Sequence, residues 1–329
     1  MAALRVRGVN ASGHRAVCGA LARSMSWMQE HRGDFALSHA RDSLDYLLLM
    51  KPFAEYLLTI DTLRRVGGDT PQLAAALAWA WEETEGGDAL LRLLMARPDF
   101  IDAACMYAHF WQAGYRHASL EAWLARLWQL QATQVVPSLR WNHLALHYTF
   151  WRLGLTDFPE HLLAGSWIAA QPEPWLISTP TAYAITHEGF YLTEFGQRPE
   201  RLPHSVRRYL GLWLPVWTTI FMAEENWDLT AELIMLAVCL GTDEWQGPLL
   251  RLVAAQAADG SYPAPLGAGR DLVRGVTCPE RQQFLTNYHS SLVGLLAAAM
   301  ATATVSEQAA VDTATLVLAS DVAHGEYPA

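Results

Sequence analysis

Charge is scarce in this chain. Only 17% of its 329 residues are Asp, Glu, Lys or Arg, whereas 52% are hydrophobic. That balance excludes a disordered, solvated polymer and points to a packed interior. Basic residues are the scarcer kind, 23 against 33 acidic, for a formal net charge of −10. No basic footprint for nucleic acid exists, and docking on an anionic membrane is disfavoured. Cysteine is sparse too: Cys18, Cys105, Cys239 and Cys278 are scattered and form no close pair. A disulfide scaffold is not expected at this size, and no zinc-finger spacing occurs. No apolar signal-peptide core follows Met1. The longest apolar runs, near Leu210–Ala223 and Leu292–Ala301, are interrupted and too short to span a bilayer. The expectation is a soluble, cytoplasmic protein.

Several signatures of chemistry are missing as well. There is no nucleotide loop, no dinucleotide fingerprint and no HExxH, and Gly165-Ser166 lacks the flanks of a serine-nucleophile elbow. Polar–apolar alternation is rare, and Asp259-Gly260 is the single Asn-Gly or Asp-Gly pair between alternating runs. The fold class read from this is all-α.

What is present is a repeat. Five aromatic or aliphatic segments end in glycine: TIDTLRRVG at Gly67, YAHFWQAG at Gly114, HYTFWRLG at Gly154, FYLTEFG at Gly196 and IMLAVCLG at Gly241. Glycine is the usual helix terminator, so some such spacing arises by accident. A shared period of roughly 40–47 residues with shared aromatic content fits a helical hairpin repeated along the chain. About six hairpins follow. They can close into an α/α toroid or run on as an open α-solenoid. A solenoid needs polar capping helices at its ends. The last helical segment, EQAAVDTATLVLAS, is not especially polar, which favours the toroid.

In order, residues 1–11 read as a flexible start and 12–329 as one domain with an irregular insertion at 260–278. Ser38 is expected to cap a helix to Met50, with Pro52 starting the next. The central helix, Thr179–Gly196, has Thr179 as cap, Pro180 in its first turn and Gly196 as stop. Pro203 opens a long apolar helix to about Glu225. The final helices are expected at 279–304 and 307–320.

Superposing the stop glycines brings polar residues to common levels. His187 and Glu232 each lie nine residues before their glycine, and Tyr183 and Asp228 lie one turn earlier on the same face. His289, in FLTNYHSSL, is the candidate from the next inner helix. An imidazole, a carboxylate and a second imidazole from three helices can hold a divalent cation such as zinc or iron. His187, Glu232 and His289 are therefore the expected metal ligands, and these three with Asp228 and Tyr183 the expected catalytic set. The bland reading is a hydrogen-bonded His187 among tyrosines and an outer-face Glu232. A metal-free acid–base cavity uses the same groups. His143 and His147 share a helix face but read as aromatic packing. Arg270 and Arg274, on the insertion, and Asp259 are the substrate-binding candidates; an ordinary surface loop explains the arginines equally.

Gln256, Gly260 and Tyr262 match the Q-x-x-x-G-x-aromatic turn of terpene-cyclase toroids, whose role there is to staple helices. The DxDD and DDxxD acids and the prenyltransferase-like zinc ligands are absent. THEGFYLTEFG, NWDLTAE, DGSY and YHSS, over residues 178–295, resemble signatures of a group of actinobacterial all-helical proteins encoded near specialised-metabolite pathways. More distantly the chain is similar to the α/α-toroid, terpenoid cyclase-like superfamily. The resemblance implies a cavity at one end of an inner helical barrel and a small-molecule enzyme, plausibly a hydrolase, lyase or cyclase, without naming a reaction. The contrasting expectation is a non-catalytic helical-repeat module that grips a protein partner. Oligomeric state is left open by the sequence.

Overall fold

The computed structural model describes residues 11–323, apart from 41–42, 136–139 and 243. Residues 1–10 of the expected flexible start lie outside it; Ala11 already belongs to the first helix. Among the described residues every regular element is helical. In chain order they are α1 (Ala11–Glu30), α2 (Ser43–Gly67), α3 (Pro71–Glu83), α4 (Asp88–Ala96), α5 (Asp102–Gln112), α6 (Ala118–Trp128) and α7 (Gln131–Val135). There follow α8 (Arg140–Arg152), α9 (Trp167–Ala170), α10 (Thr179–Leu192), α11 (His204–Ala223), α12 (Trp227–Cys239), α13 (Gln246–Ala254) and α14 (Pro279–Ala323).

The stop glycines behave as the repeat requires. Gly114, Gly154, Gly196 and Gly241 have φ of 96°, 73°, 87° and 69°. In the first repeat Gly67 is still helical and Gly68, at φ 82°, is the terminator. Positive φ is nearly free for glycine and costly for other residues, so each chain reversal is fixed locally.

Six helices then form a cycle of contacts. α2 packs on α5, α5 on α8, α8 on α10, α10 on α12, α12 on α14, and α14 returns to α2. The other helices lie against members of this cycle: α1 on α14, α3 on α2, α4 on α5, α9 on α10, and α11 on α12. α12 is the most enclosed, with every residue from Asp228 to Cys239 buried. Its large apolar side chains contribute about 1.5–3 kcal/mol each. They offset the several kcal/mol that two carboxylates on the same helix cost when taken out of water.

Three helix boundaries depart from the expectation. α2 runs straight through Pro52. A mid-helix proline costs about 3 kcal/mol; Met50, Phe53, Tyr56 and Leu57 are all buried around it and together outweigh that. α14 is one helix of 45 residues rather than two, because no glycine or proline interrupts 295–323. On α10 the cap is Ser178, whose hydroxyl accepts from the Thr181 N–H, and the helix ends at Leu192. Asn226 caps α12 in the same way through the Leu229 N–H.

Close approach between helices is purchased with glycine. A Cβ on Gly189 of α10 would lie 2.3 Å from Leu236 Cδ1 of α12. The Gln256–Tyr262 turn staples α13 to α1: Gln256 Nε2 donates to Ala20 O at 3.0 Å and Ser24 Oγ at 2.7 Å. Gly260 there has φ 92°, and a Cβ would sit 2.4 Å from the Arg23 carbonyl oxygen. Tyr262 is fully buried, and a Cβ on Gly294 of α14 would lie 2.6 Å from its ring. Gly260→Ala is therefore expected to cost about 1–3 kcal/mol, since backbone must move. Gly19→Ala, mid-α1 with only an ordinary 3.5 Å contact, should be neutral or stabilise by up to about 1 kcal/mol. Urea unfolding of both variants checks the contrast.

Candidate functional site

Counted back from the stop glycines, Glu55 of α2, Trp141 of α8, Tyr183 of α10 and Asp228 of α12 occupy one level, thirteen residues before each. Cys105, His187 and Glu232 occupy the next, nine residues before. His289 of α14 meets both levels. Its Nδ1 lies 2.9 Å from Glu55 Oε2. Its Nε2 lies 3.2 Å from Asp228 Oδ1 and 3.8 Å from Glu232 Oε1. The Tyr183 hydroxyl donates to Asp228 Oδ2 at 2.6 Å, and the Thr186 hydroxyl donates to Glu232 Oε2 at 2.5 Å. Four helices thus converge on two carboxylates.

Asp228, Glu232 and His289 each offer a ligand atom, all within 4.8 Å of one another. The set is two oxygens and one nitrogen, suited to a divalent cation of borderline hardness. Asp228 Oδ1 strengthens the case. It is buried, the Tyr183 hydroxyl bonds only the other oxygen, and the His289 imidazole 3.2 Å away is the group that faces it. A buried carboxylate oxygen is costly unless a cation or a proton faces it. Glu55 holds the far nitrogen of His289, the carboxylate–histidine arrangement that orients a metal-binding imidazole.

Two of the three expected metal ligands, Glu232 and His289, therefore meet. Asp228 completes the group, and His187 stands beside it. His187 Nδ1 donates to the Tyr183 carbonyl at 2.7 Å, one turn back on its own helix, and lies 3.7 Å from Glu232 Oε2. That hydrogen bond leaves the lone pair on Nε2. The Trp141 ring lies tilted at 41° against the imidazole, 4.6 Å between centroids. Asp259 accepts from the Ser261 backbone N–H and hydroxyl, making a turn. Arg270 is exposed, and Arg274 forms an exposed ion pair with Asp271 at 3.2 Å. None of these three has a contact with the cluster among the described residues.

The electrostatics separate the two carboxylates. Burial pushes both upward. For Asp228 the charge and the hydrogen bond of His289, with the Tyr183 hydrogen bond, outweigh it, and its pKa is lowered. For Glu232 burial, reinforced by the Asp228 charge, prevails over His187 and His289, and its pKa is raised. The Thr186 hydroxyl faces two acceptors, Glu232 and the Tyr183 carbonyl at 3.1 Å. Paired acids driven apart in this way make one an ionised ligand or base and the other a proton donor.

Sequence reasoning missed Glu55, Lys51 and Asp102. Lys51 Nζ lies 3.6 Å from Glu55 Oε1, and Asp228 and Glu232 help to raise its pKa. Asp102 is exposed by area, yet desolvation raises its carboxyl pKa. The available signal was the stop glycine: taking Gly68 instead of Gly67 brings Glu55 into register with Tyr183 and Asp228.

Nearer the helix C-termini lies a second ionic cluster of different character. Arg152 Nη1 donates to Asp61 Oδ2 at 2.8 Å and Nη2 to Oδ1 at 3.3 Å, with His109 Nδ1 at 3.0 Å and Arg65 Nη2 at 3.4 Å. Burial raises the Asp61 pKa, but these partners hold it far below the carboxylate range. Both oxygens are bonded, so this cluster ties α2, α5 and α8 together and leaves no ligand position. His143 and His147 also pair, Nε2 to Nε2 at 3.1 Å, beneath the Trp128 ring.

The comparisons with known proteins come to one positive finding. Residues 21–299 match the family described as a domain of unknown function, DUF6895, and the chain belongs to it. No curated protein and no solved structure matches. No helix among the described residues is long and apolar enough to cross a membrane.

The Glu55–His289 pair sets a pH window for the metal-free protein. Burial raises the Glu55 pKa, but the His289 charge and hydrogen bond, with Lys51, bring it down to about 2. Its stabilisation is complete above the ordinary 4.5 and is lost as pH falls towards 2. Burial lowers the His289 pKa, but Asp228 and Glu55 raise it well above 6.5. Its stabilisation is complete below 6.5 and is lost as pH rises through the raised pKa. Glu55→Gln is expected to cost about 1–3 kcal/mol between these limits and little in strong acid. Urea unfolding against pH, with chelator present, measures the difference.

Proposed function

We propose that this chain is a small-molecule enzyme that holds a divalent cation, zinc or iron, through Asp228, Glu232 and His289 in the cavity of an α/α toroid. The observation that carries the reading is the convergence of Asp228, Glu232 and His289, whose ligand atoms lie within 4.8 Å of one another with both carboxylates buried. The return of α14 to α2 supports a closed toroid of six hairpins over an open solenoid.

In this reading Glu55 accepts from His289 Nδ1 and keeps Nε2 turned towards the carboxylates. Tyr183 fixes Asp228, and Thr186 fixes Glu232. His187, with its Nε2 lone pair and its place beside Glu232, is the group to take a proton from substrate or water. Lys51, Asp102 and Trp141 form the approach and bind the substrate. A bound divalent cation supplies Lewis acidity to a carbonyl or similar oxygen. Hydrolysis, elimination and cyclisation all draw on that chemistry.

A second reading rests on His289 itself. Both of its nitrogens face carboxylates, Glu55 and Asp228, as an imidazolium requires. The site is then a metal-free proton relay, with Glu232 as acid and His187 as base.

Elemental analysis of protein purified without affinity tag or chelator decides between them. Near-stoichiometric zinc or iron in the wild type is expected, lost in Asp228→Asn and Glu232→Gln. Glu55→Gln should weaken metal affinity about 10–100-fold while retaining the site. No metal in any sample, despite supply during expression, overturns the metal reading and leaves the relay.

A further inference from the structure

The same molecule leaves an apolar ridge in water. On α11, Leu212, Val216 and Ile220 are 61%, 44% and 40% exposed. They are four residues apart and so form one continuous ridge of the helix. The opposite face of α11 is buried through Leu210, Leu214, Trp217 and Phe221. The ridge is therefore not a frayed or loosely packed helix but the outer side of a well-seated one. Trp175 and Leu176 are exposed nearby; they follow a loop that Tyr209 and Trp217 of α11 pin by hydrogen bonds to the Pro172 and Pro174 carbonyls. Apolar patches of this extent, rimmed by polar residues, mark interaction surfaces.

The rim decides the partner. One step along the ridge from Leu212 is Arg208, and one step beyond Ile220 is Glu224. Both are exposed, and neither has an ion-pair partner among the described residues. The pattern reads basic, apolar, apolar, apolar, acidic. Reversed end for end, it complements itself.

We propose that this ridge is the interface of a homodimer, in which two copies of α11 pack antiparallel about a twofold axis through Val216. Val216 then meets the partner's Val216, Leu212 meets the partner's Ile220, and Arg208 meets the partner's Glu224. A twofold interface forms each contact twice, so both charged ends are matched. A parallel pairing sets like charges together. An anionic membrane is opposed by Glu224, Glu225 and the net charge of −10. The adjacent ridge, Gly211, Pro215, Thr219 and Ala223, is built of small or compact side chains, and nothing lies within 4 Å of a Cβ added to Gly211. It leaves a groove in which the partner's ridge can lie alongside.

Sedimentation equilibrium of the full chain over a wide concentration range tests this. A dimer is expected for the wild type and a monomer for Val216→Glu, which sets two like charges on the axis. Arg208→Glu and Glu224→Arg should each weaken the dimer about tenfold at low salt, and the double variant should restore it. A wild type that stays monomeric overturns the proposal. So does a dimer indifferent to Val216→Glu. Failure of the double variant to recover overturns the antiparallel register. If the chain is monomeric and Val216→Glu lowers its thermal unfolding temperature, the ridge is covered by the chain's own residues and the proposal falls.

Discussion

The imidazole of His289 between Glu55 and Asp228 is the contact on which the architecture turns. It joins the last helix of the cycle to the first and to the most enclosed one. Glu55 and His289 are 234 residues apart in sequence, so nothing local favours their meeting. α12 carries its two carboxylates into a wholly apolar setting, and they are tolerated because α14 brings a positive charge and α10 brings two hydroxyls. Removing any one of these partners strands a buried charge, which costs more than a missing apolar contact. Closure of the helical cycle and construction of the site are one event.

Two ionic clusters share the inner helices and differ in what they leave over. Around Asp61 both carboxylate oxygens have donors, and two arginines and His109 surround a single acid. That arrangement is saturated and serves to join helices. Around Asp228 three acids, Glu55, Asp228 and Glu232, share the His289 imidazole. An excess of negative charge in a desolvated recess is held against a gradient unless something positive enters it. The two clusters lie at two levels of the same helices, and the one around Asp228 is the candidate for a cation.

The outer helices repeat this division on the surface. α11 presents Trp217 and Phe221 inward and Leu212, Val216 and Ile220 outward, so both faces are apolar while its ends carry the charge. Packing on α12 accounts for the inner face. In the proposed dimer a second copy covers the outer face, and the order of charges along the helix favours the antiparallel arrangement.

Much was legible in the sequence because its physics is local. Glycine terminators at a regular spacing specified the helical repeat, since positive φ is a property of one residue. The Gln256–Tyr262 staple was written in a short motif. The level shared by His187 and Glu232, and by Tyr183 and Asp228, followed from helix periodicity. Three things required the tertiary structure. Pro52 reads as a helix start, yet burial around it outweighs the lost hydrogen bond. Glu55 looks like a surface acid on an ordinary helix until α14 closes on α2. Asp228 lies within ligand distance of Glu232 and His289, and His187, bonded to the Tyr183 carbonyl of its own helix, stands beside them. Helix type and register are decided within a few residues of chain. Which charges come to face one another is decided only when the ends of the chain meet.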